Sequence, residues 1–291
     1  NLGTLSPYNT KDHNCPGFLI QDGNNRLMLD SGSGSHSLLN FPNDLQNLSV
    51  ILTHLHRDHY NDIFNLQYSS FVFHNQKRIE KPIDIILPAT PVSIHDDILS
   101  EDNSFATYKT ITPSQKLKIG NMNISFCQTD HPVETYAVKV NNGNRTIVYT
   151  SDTSYSAKNK LVNFAKDADL LICESSLLKE HGFPEINTHL TAQQAATIAK
   201  EAHVNGLILT FWKDNNLLYQ KRRVSSSALS HYYFVTRFNT SPGKYLETSF
   251  PYFKSSITIL DEICPHFPDL TKIVSKPKTS WLIRAKFSSS S

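Results

Sequence analysis

Six consecutive positions, His54-Leu55-His56-Arg57-Asp58-His59, carry three imidazoles and a carboxylate directly after the apolar run Leu48-Ser49-Val50-Ile51-Leu52. The apolar run reads as a strand, and the polar residues as the loop at its end. A strand alternates its side chains between two faces, so it cannot aim this whole set at one point. A loop opening into a helix can, with His54 and His56 turned one way and Asp58 and His59 the other. Imidazole suits zinc, iron, nickel or copper, and a carboxylate adds a harder oxygen donor. The split into two pairs points to two cations side by side. A polar surface turn, the plain alternative, explains neither the spacing nor the strand-end placement.

Apolar, β-branched runs alternate with helical patterns along the rest of the chain. Strands are expected over Gly17–Ile20, Arg26–Leu29, Val50–Thr53, Ile83–Leu87, Phe105–Ile111, Asn123–Gln128, Tyr136–Val140, Thr146–Thr150, Leu170–Glu174 and Gly206–Thr210. Asn141-Asn142-Gly143-Asn144 is a hairpin turn, because Asn and Gly tolerate positive φ. Helices are expected over Asn61–Tyr68, Ala157–Ala165 and Ala192–Ala202, the last opened by the capping-box pattern Thr191-Ala192-Gln193-Gln194. Strands separated by helices imply sheets covered by helical layers, an α/β class.

A chain of 291 residues accommodates one large α/β domain with an appendage. No apolar run approaches the roughly 18 residues of a membrane span, and the N-terminus lacks the regions of a secretory signal. A net charge of +2 neither demands nor excludes a nucleic-acid partner. Cys15, Cys127, Cys173 and Cys264 form no CxxC pair, which favours a reducing, cytoplasmic setting.

The motif His54-x-His56-x-Asp58-His59 resembles the signature of the metallo-β-lactamase superfamily of metal-dependent hydrolases. Asn1-Leu2-Gly3-Thr4 resembles the family's opening strand and loop. Cys15 to Ile20, followed by Leu27-Met28-Leu29-Asp30-Ser31-Gly32-Ser33-Gly34, resembles its next two strands and glycine turn. The likeness covers most of the first 210 residues and is strongest to the ribonuclease Z-like small bacterial hydrolases. It implies an αβ/βα four-layer sandwich with the metal site at the edge of two facing sheets.

Further segments resemble the family's remaining ligands. Thr129-Asp130-His131-Pro132-Val133 matches the donor of a third histidine, and Val148-Tyr149-Thr150-Ser151-Asp152-Thr153 the segment ending in a metal-bridging aspartate. The resemblance thus implies a first zinc on His54, His56, His131 and Asp152, and a second on Asp58, His59 and Asp152. Manganese and iron are alternatives to zinc. The family completes the second site with a histidine after the strand matching Gly206–Thr210, where this chain has Phe211. Phenylalanine has no lone pair, so a weakened second site is expected. A substitute ligand such as His231, or a catalytically impaired metal-binding relative, are the other outcomes.

In ribonuclease Z-like enzymes a metal-bound hydroxide attacks a phosphodiester, and a histidine before a helix assists the leaving oxygen. Asn187-Thr188-His189-Leu190-Thr191 resembles that loop, which assigns catalytic roles to His189 and to Asp58, the acceptor for the attacking water. Glu174 either orients His189 or simply ends its strand. Typical ribonuclease Z enzymes carry a tRNA-gripping arm between the segments matching His131 and Asp152, and here one hairpin fills that interval. The expected substrate is therefore a small phosphodiester or RNA, with lactone or thioester hydrolysis as the alternative reaction. Relatives often dimerise, so a homodimer is a permitted assembly.

After Arg223 the character changes. Residues 1–223 read as the hydrolase domain, and residues 224–291 as a tract rich in Ser and aromatics, ending in Ser288–Ser291, that resembles nothing recognised. Its last serines are expected to be disordered. An altered reading frame and a native extension are the two accounts of it.

Overall fold

The computed structural model describes residues 1–112, 114–177 and 188–210, together with the backbone of 235–237. Five strands form the first sheet in the order β1 (Phe18–Asp22), β2 (Asn25–Leu29), β3 (Leu48–Ile51), β4 (Ile83–Leu87) and β5 (Ala106–Thr110). β1 and β2 are an antiparallel hairpin, while β2 to β5 run parallel. Crossovers between parallel strands need intervening chain, which α1 (Arg57–Tyr60), α2 (Ile63–Asn75) and α3 (Val92–Ile98) help supply.

The second sheet has seven strands, ordered β12-β11-β10-β9-β8-β7-β6. These are β6 (Lys116–Ile119), β7 (Met122–Gln128), β8 (Tyr136–Asn141), β9 (Thr146–Tyr149), β10 (Leu170–Glu174), β11 (Gly206–Thr210) and β12 (Val235–Arg237). The β8–β9 hairpin turns where the Asn-Gly signal lies, with Gly143 at φ +88°. β12 falls inside the tract 224–291 and pairs antiparallel with β11. The remainder of that tract, with His231, lies outside the described residues.

Inward faces of both sheets meet in one apolar layer, including Phe18, Leu27, Leu29 and Ile51 from the first and Met122, Phe126, Val138 and Tyr149 from the second. On the outer face of the first sheet, Met28, Val50 and Ile85 pack with Ile63, Leu66 and Ile98 of the helices. Outside the second sheet, Val148, Leu171 and Leu207 pack with α4 (Lys158–Phe164) and α5 (Ala192–Glu201) through Leu161, Ala195 and Ile198. The order helix, sheet, sheet, helix is the four-layer αβ/βα sandwich. β3 is buried at every residue because it is covered on both sides, which is why Leu48 to Ile51 read as a continuous apolar run.

Four details differ from the sequence expectation. β3 ends at Ile51, so the histidine loop begins earlier. α2 runs on to Asn75, through the β-branched and aromatic residues Phe71-Val72-Phe73. α3 and β6 were not anticipated, since Lys116-Leu117-Lys118-Ile119 is short and half polar, and α3 spans only two turns after Pro91. The N-terminal residues make isolated bridges, at Gly3 (to Gly17) and Leu5, rather than a strand.

The layer between the sheets sets their spacing. Replacing Leu27, wholly buried there, by Ala is expected to cost about 2–5 kcal/mol. Urea unfolding of Leu27→Ala would show this as a lowered midpoint, and a loss below about 1 kcal/mol would contradict the placement.

Candidate metal centre

The two sheets end together at one edge, and the loops leaving that edge carry the predicted residues. Beyond β3, Leu52 to His56 form the loop that presents His54 and His56, and α1 then carries Asp58 and His59. Gly32 lets this segment lie close: a Cβ there would sit 2.0 Å from the Asp58 carbonyl. His131 follows β7, Asp152 follows β9, and His189 stands two residues before the α5 cap, Thr191. The capping box at Thr191 and Gln194 is formed as read from sequence.

His54, His56, His131 and Asp152 each bring one donor atom into a set whose members lie within 4.8 Å of one another. His56 Nδ1 is 3.1 Å from His54 Nε2 and 3.2 Å from His131 Nε2. Asp152 Oδ2 lies 3.5 Å from His131 Nε2 and 3.7 Å from His54 Nε2. His59 Nε2 faces the other oxygen, Asp152 Oδ1, at 3.5 Å, and Asp58 Oδ2 at 3.7 Å. His54 and His56 thus gather with His131 around Asp152, while His59 stands between Asp58 and the other oxygen of Asp152.

This donor set fits a cation on three grounds. First, Asp152 Oδ1 is buried with no hydrogen-bond partner among the described residues, a cost that an ion beside it would offset. Second, the His131 Nδ1–H donates to the Thr188 carbonyl at 3.1 Å, which leaves the Nε2 lone pair facing Asp152. Two acceptors opposed at that range call for positive charge between them. Third, burial keeps the imidazoles neutral, the form that ligates. Desolvation lowers His56, takes His131 down to about 3, and puts His54 well below its ordinary value, the neighbouring imidazoles adding to it at His54.

His59 behaves oppositely. Desolvation lowers it, but Asp30, Asp152 and Asp58 together outweigh that and raise it to about 10. Burial, by contrast, pushes the Asp152 carboxyl up. His59 Nδ1 is held by Asp30 Oδ2 at 2.8 Å, and Asp30 also accepts from the Thr53 amide, the Thr53 hydroxyl and the Tyr149 hydroxyl. Sequence reading passes over Asp30, Thr53 and Tyr149 as site residues. Their signal lay in adjacency, since Asp30 opens the glycine turn and Thr53 precedes His54.

Two more neighbours bear on the predicted catalytic pair. Ser6 Oγ donates to Asp58 Oδ2 at 2.8 Å, bringing the N-terminal segment into the site. Glu174 does more than end its strand. Its Oε1 accepts from the Thr153 amide at 2.7 Å and pairs with His189 Nδ1 at 3.1 Å, while Oε2 accepts from the Leu190 amide and the Ser176 hydroxyl. His189 Nδ1 is also 3.8 Å from Asp152 Oδ2. Phe211, in place of the family's last histidine, lies outside the described residues, as does Asn187. No helix among the described residues is long and apolar enough to cross a membrane.

An αβ/βα sandwich with a histidine–carboxylate cluster at the shared sheet edge defines a class of metal-dependent hydrolases. The model of the beta-lactamase superfamily domain matches residues 25–212. A probable metallo-hydrolase of Bacillus subtilis, YhfI, is 33% identical over 216 residues, covering 72% of this chain and 84% of its own. The crystal structure of that metallo-β-lactamase fold protein superposes with a TM-score of 0.68 at 28% identity, covering 81% of this chain and 97% of the other. Ribonuclease Z of Chlamydia trachomatis serovar L2 is 27% identical, over 72% of this chain and 84% of its length. The chain belongs to the metallo-β-lactamase superfamily and is a metallo-hydrolase of it.

His59 gives the stripped protein a pH signature. A folded-state value near 10, above the ordinary 6.5, means stability that is complete below about pH 6.5 and lost as pH climbs through about 10. Chelator-treated protein should therefore show a urea midpoint that declines between about pH 7 and 10, and Asp30→Asn, which removes the largest raising charge, should flatten that decline. Equal slopes in both proteins would contradict the assignment.

Proposed function

We propose that the protein hydrolyses phosphodiesters, with His54, His56, His131 and Asp152 holding one divalent cation and Asp58, His59 and Asp152 a weaker second. Zinc suits this nitrogen and oxygen donor set, with manganese or iron as alternatives. When bound, such a cation supplies Lewis acidity and lowers the pKa of a coordinated water. The weaker second site follows from Phe211, which offers no donor.

The observation that carries the reading is the pair of buried Glu174 and half-buried His189 beside Asp152. Glu174 is an acceptor fixed by three backbone amides, so the His189 Nδ1–H donates to it and the proton that His189 transfers, as an imidazolium, sits on Nε2. That nitrogen suits donation to the leaving oxygen of a phosphodiester, a group that needs a proton as its bond to phosphorus breaks. His189 keeps 15% of its side chain exposed, whereas His54 and Asp152 are sealed. It therefore stands at the rim, where a substrate reaches it.

Asp58 takes the other proton. Its Oδ2 is engaged by Ser6, and the carboxylate retains acceptor capacity for the attacking water. Substrate size is favoured as small, because β8 and β9 are joined by four residues and carry no insertion between His131 and Asp152. Single-stranded RNA ends satisfy the same requirement, and the ribonuclease Z relatives support RNA as a substrate class.

Turnover of bis(p-nitrophenyl) phosphate with added zinc or manganese tests this, beside a panel of lactones and thioesters. His189→Ala is expected to lower kcat by about 10²–10⁴-fold with metal content retained. His56→Ala should abolish turnover and lose metal together. Turnover of lactones alone, or a His189→Ala enzyme as fast as the parent, would overturn the proposal.

A further inference from the structure

Of the non-glycine residues held at positive φ, Asp30 (φ 59°) and Ser151 (φ 55°) are buried, and the others are not. Glycine is the default for such backbone, because it has no Cβ to clash. A serine kept there in the interior, immediately before Asp152, asks what its side chain supplies. Its hydroxyl lies 2.6 Å from Thr53 Oγ1 and 3.3 Å from His54 Nδ1, and Thr53 Oγ1 is itself 3.3 Å from that nitrogen.

The direction of these bonds follows from their end point. Asp30 is an acceptor, and Thr53 Oγ1 lies 2.8 Å from its Oδ1 and 3.0 Å from its Oδ2, so the Thr53 hydroxyl spends its one proton there. The Ser151 hydroxyl must then donate to Thr53 Oγ1. Both oxygens are left as acceptors toward His54, whose Nδ1 therefore carries the hydrogen. The Nε2 lone pair is turned into the cluster, toward His56 and Asp152. Metal-ligating histidines are ordinarily fixed by a single acceptor on the far nitrogen; here a two-hydroxyl chain connects that nitrogen to a buried carboxylate.

We propose that Ser151 is a positioning residue of the metal centre, its hydroxyl relaying the Asp30 carboxylate to His54 and so fixing the His54 tautomer that presents Nε2 as donor. This rests on reading the cluster as a metal centre. One carboxylate thereby orients two imidazoles of the loop and helix after β3: His59 directly, at 2.8 Å, and His54 through Thr53 and Ser151. Because Ser151 belongs to the second sheet's edge and Thr53 to the first, the relay also keeps the two halves of the ligand set in register.

Two substitutions in the full-length chain test this. Ser151→Ala removes the hydroxyl and keeps the strained backbone, while Ser151→Gly removes both. Zinc affinity, measured by competition with a chromophoric chelator, is expected to fall about 10–100-fold in each. Melting of the zinc-free proteins separates this from simple destabilisation, with Ser151→Gly melting no lower than Ser151→Ala because its backbone is relieved. Nitrogen-15 shifts of His54 in zinc-free protein should show the Nδ1–H tautomer in the parent and its loss in Ser151→Ala. A Ser151→Gly protein binding zinc within about twofold of the parent, or a parent without the Nδ1–H tautomer, overturns the relay. A parent that binds no zinc overturns the reading of the metal centre instead, and the tautomer measurement still judges the relay.

Discussion

Everything at this site depends on one buried carboxylate, Asp30, that both sheets must satisfy at once. It accepts from Thr53 and His59 on the first sheet's side and from the Tyr149 hydroxyl on the second. Removing a partner leaves a charge in low dielectric without its donor, which costs more than the bond itself contributes. The two sheets are further joined where the Tyr136 amide donates to the Thr53 carbonyl at 3.0 Å. Apolar packing brings the sheets face to face, but it is tolerant of small sliding. Directional bonds at the edge select one register, and that register makes His131 and Asp152 meet His54 and His56.

The electrostatics divide the cluster into two unlike halves. His54, His56 and His131 sit mainly among one another, and burial keeps them neutral. His59 sits among Asp30, Asp58 and Asp152, which favour its charged form. The first half is a ready set of nitrogen donors for a cation. In the second, the carboxylates make cation binding and protonation of His59 compete for the same lone pair. In the proposed two-cation reading, a weaker second site has two independent sources, the competing proton and the phenylalanine at position 211.

Much of this was legible in the chain. The histidine motif is local, and its placement after an apolar run located it at a strand end. The sandwich followed from alternating β runs and helical patterns together with the family resemblance. What escaped is non-local. Asp30 and Tyr149 lie 119 residues apart and Thr53 and Ser151 98 apart, and nothing in hydroxyl or carboxylate spacing announces such pairs. Ser151 after a strand is ordinary by composition, and only the meeting of two sheets gives it Thr53 and His54 as partners. β6 and α3 escaped for the opposite reason, being too short for periodicity to register.

The central claim is that ligands from both sheets converge on one cation. Crystals soaked in zinc, with anomalous scattering measured at the zinc edge, test it most directly. The account predicts a peak enclosed by His54, His56, His131 and Asp152, with nitrogen distances near ~2.0–2.1 Å. Anomalous density elsewhere on the molecule, with those four side chains bearing none, would contradict it.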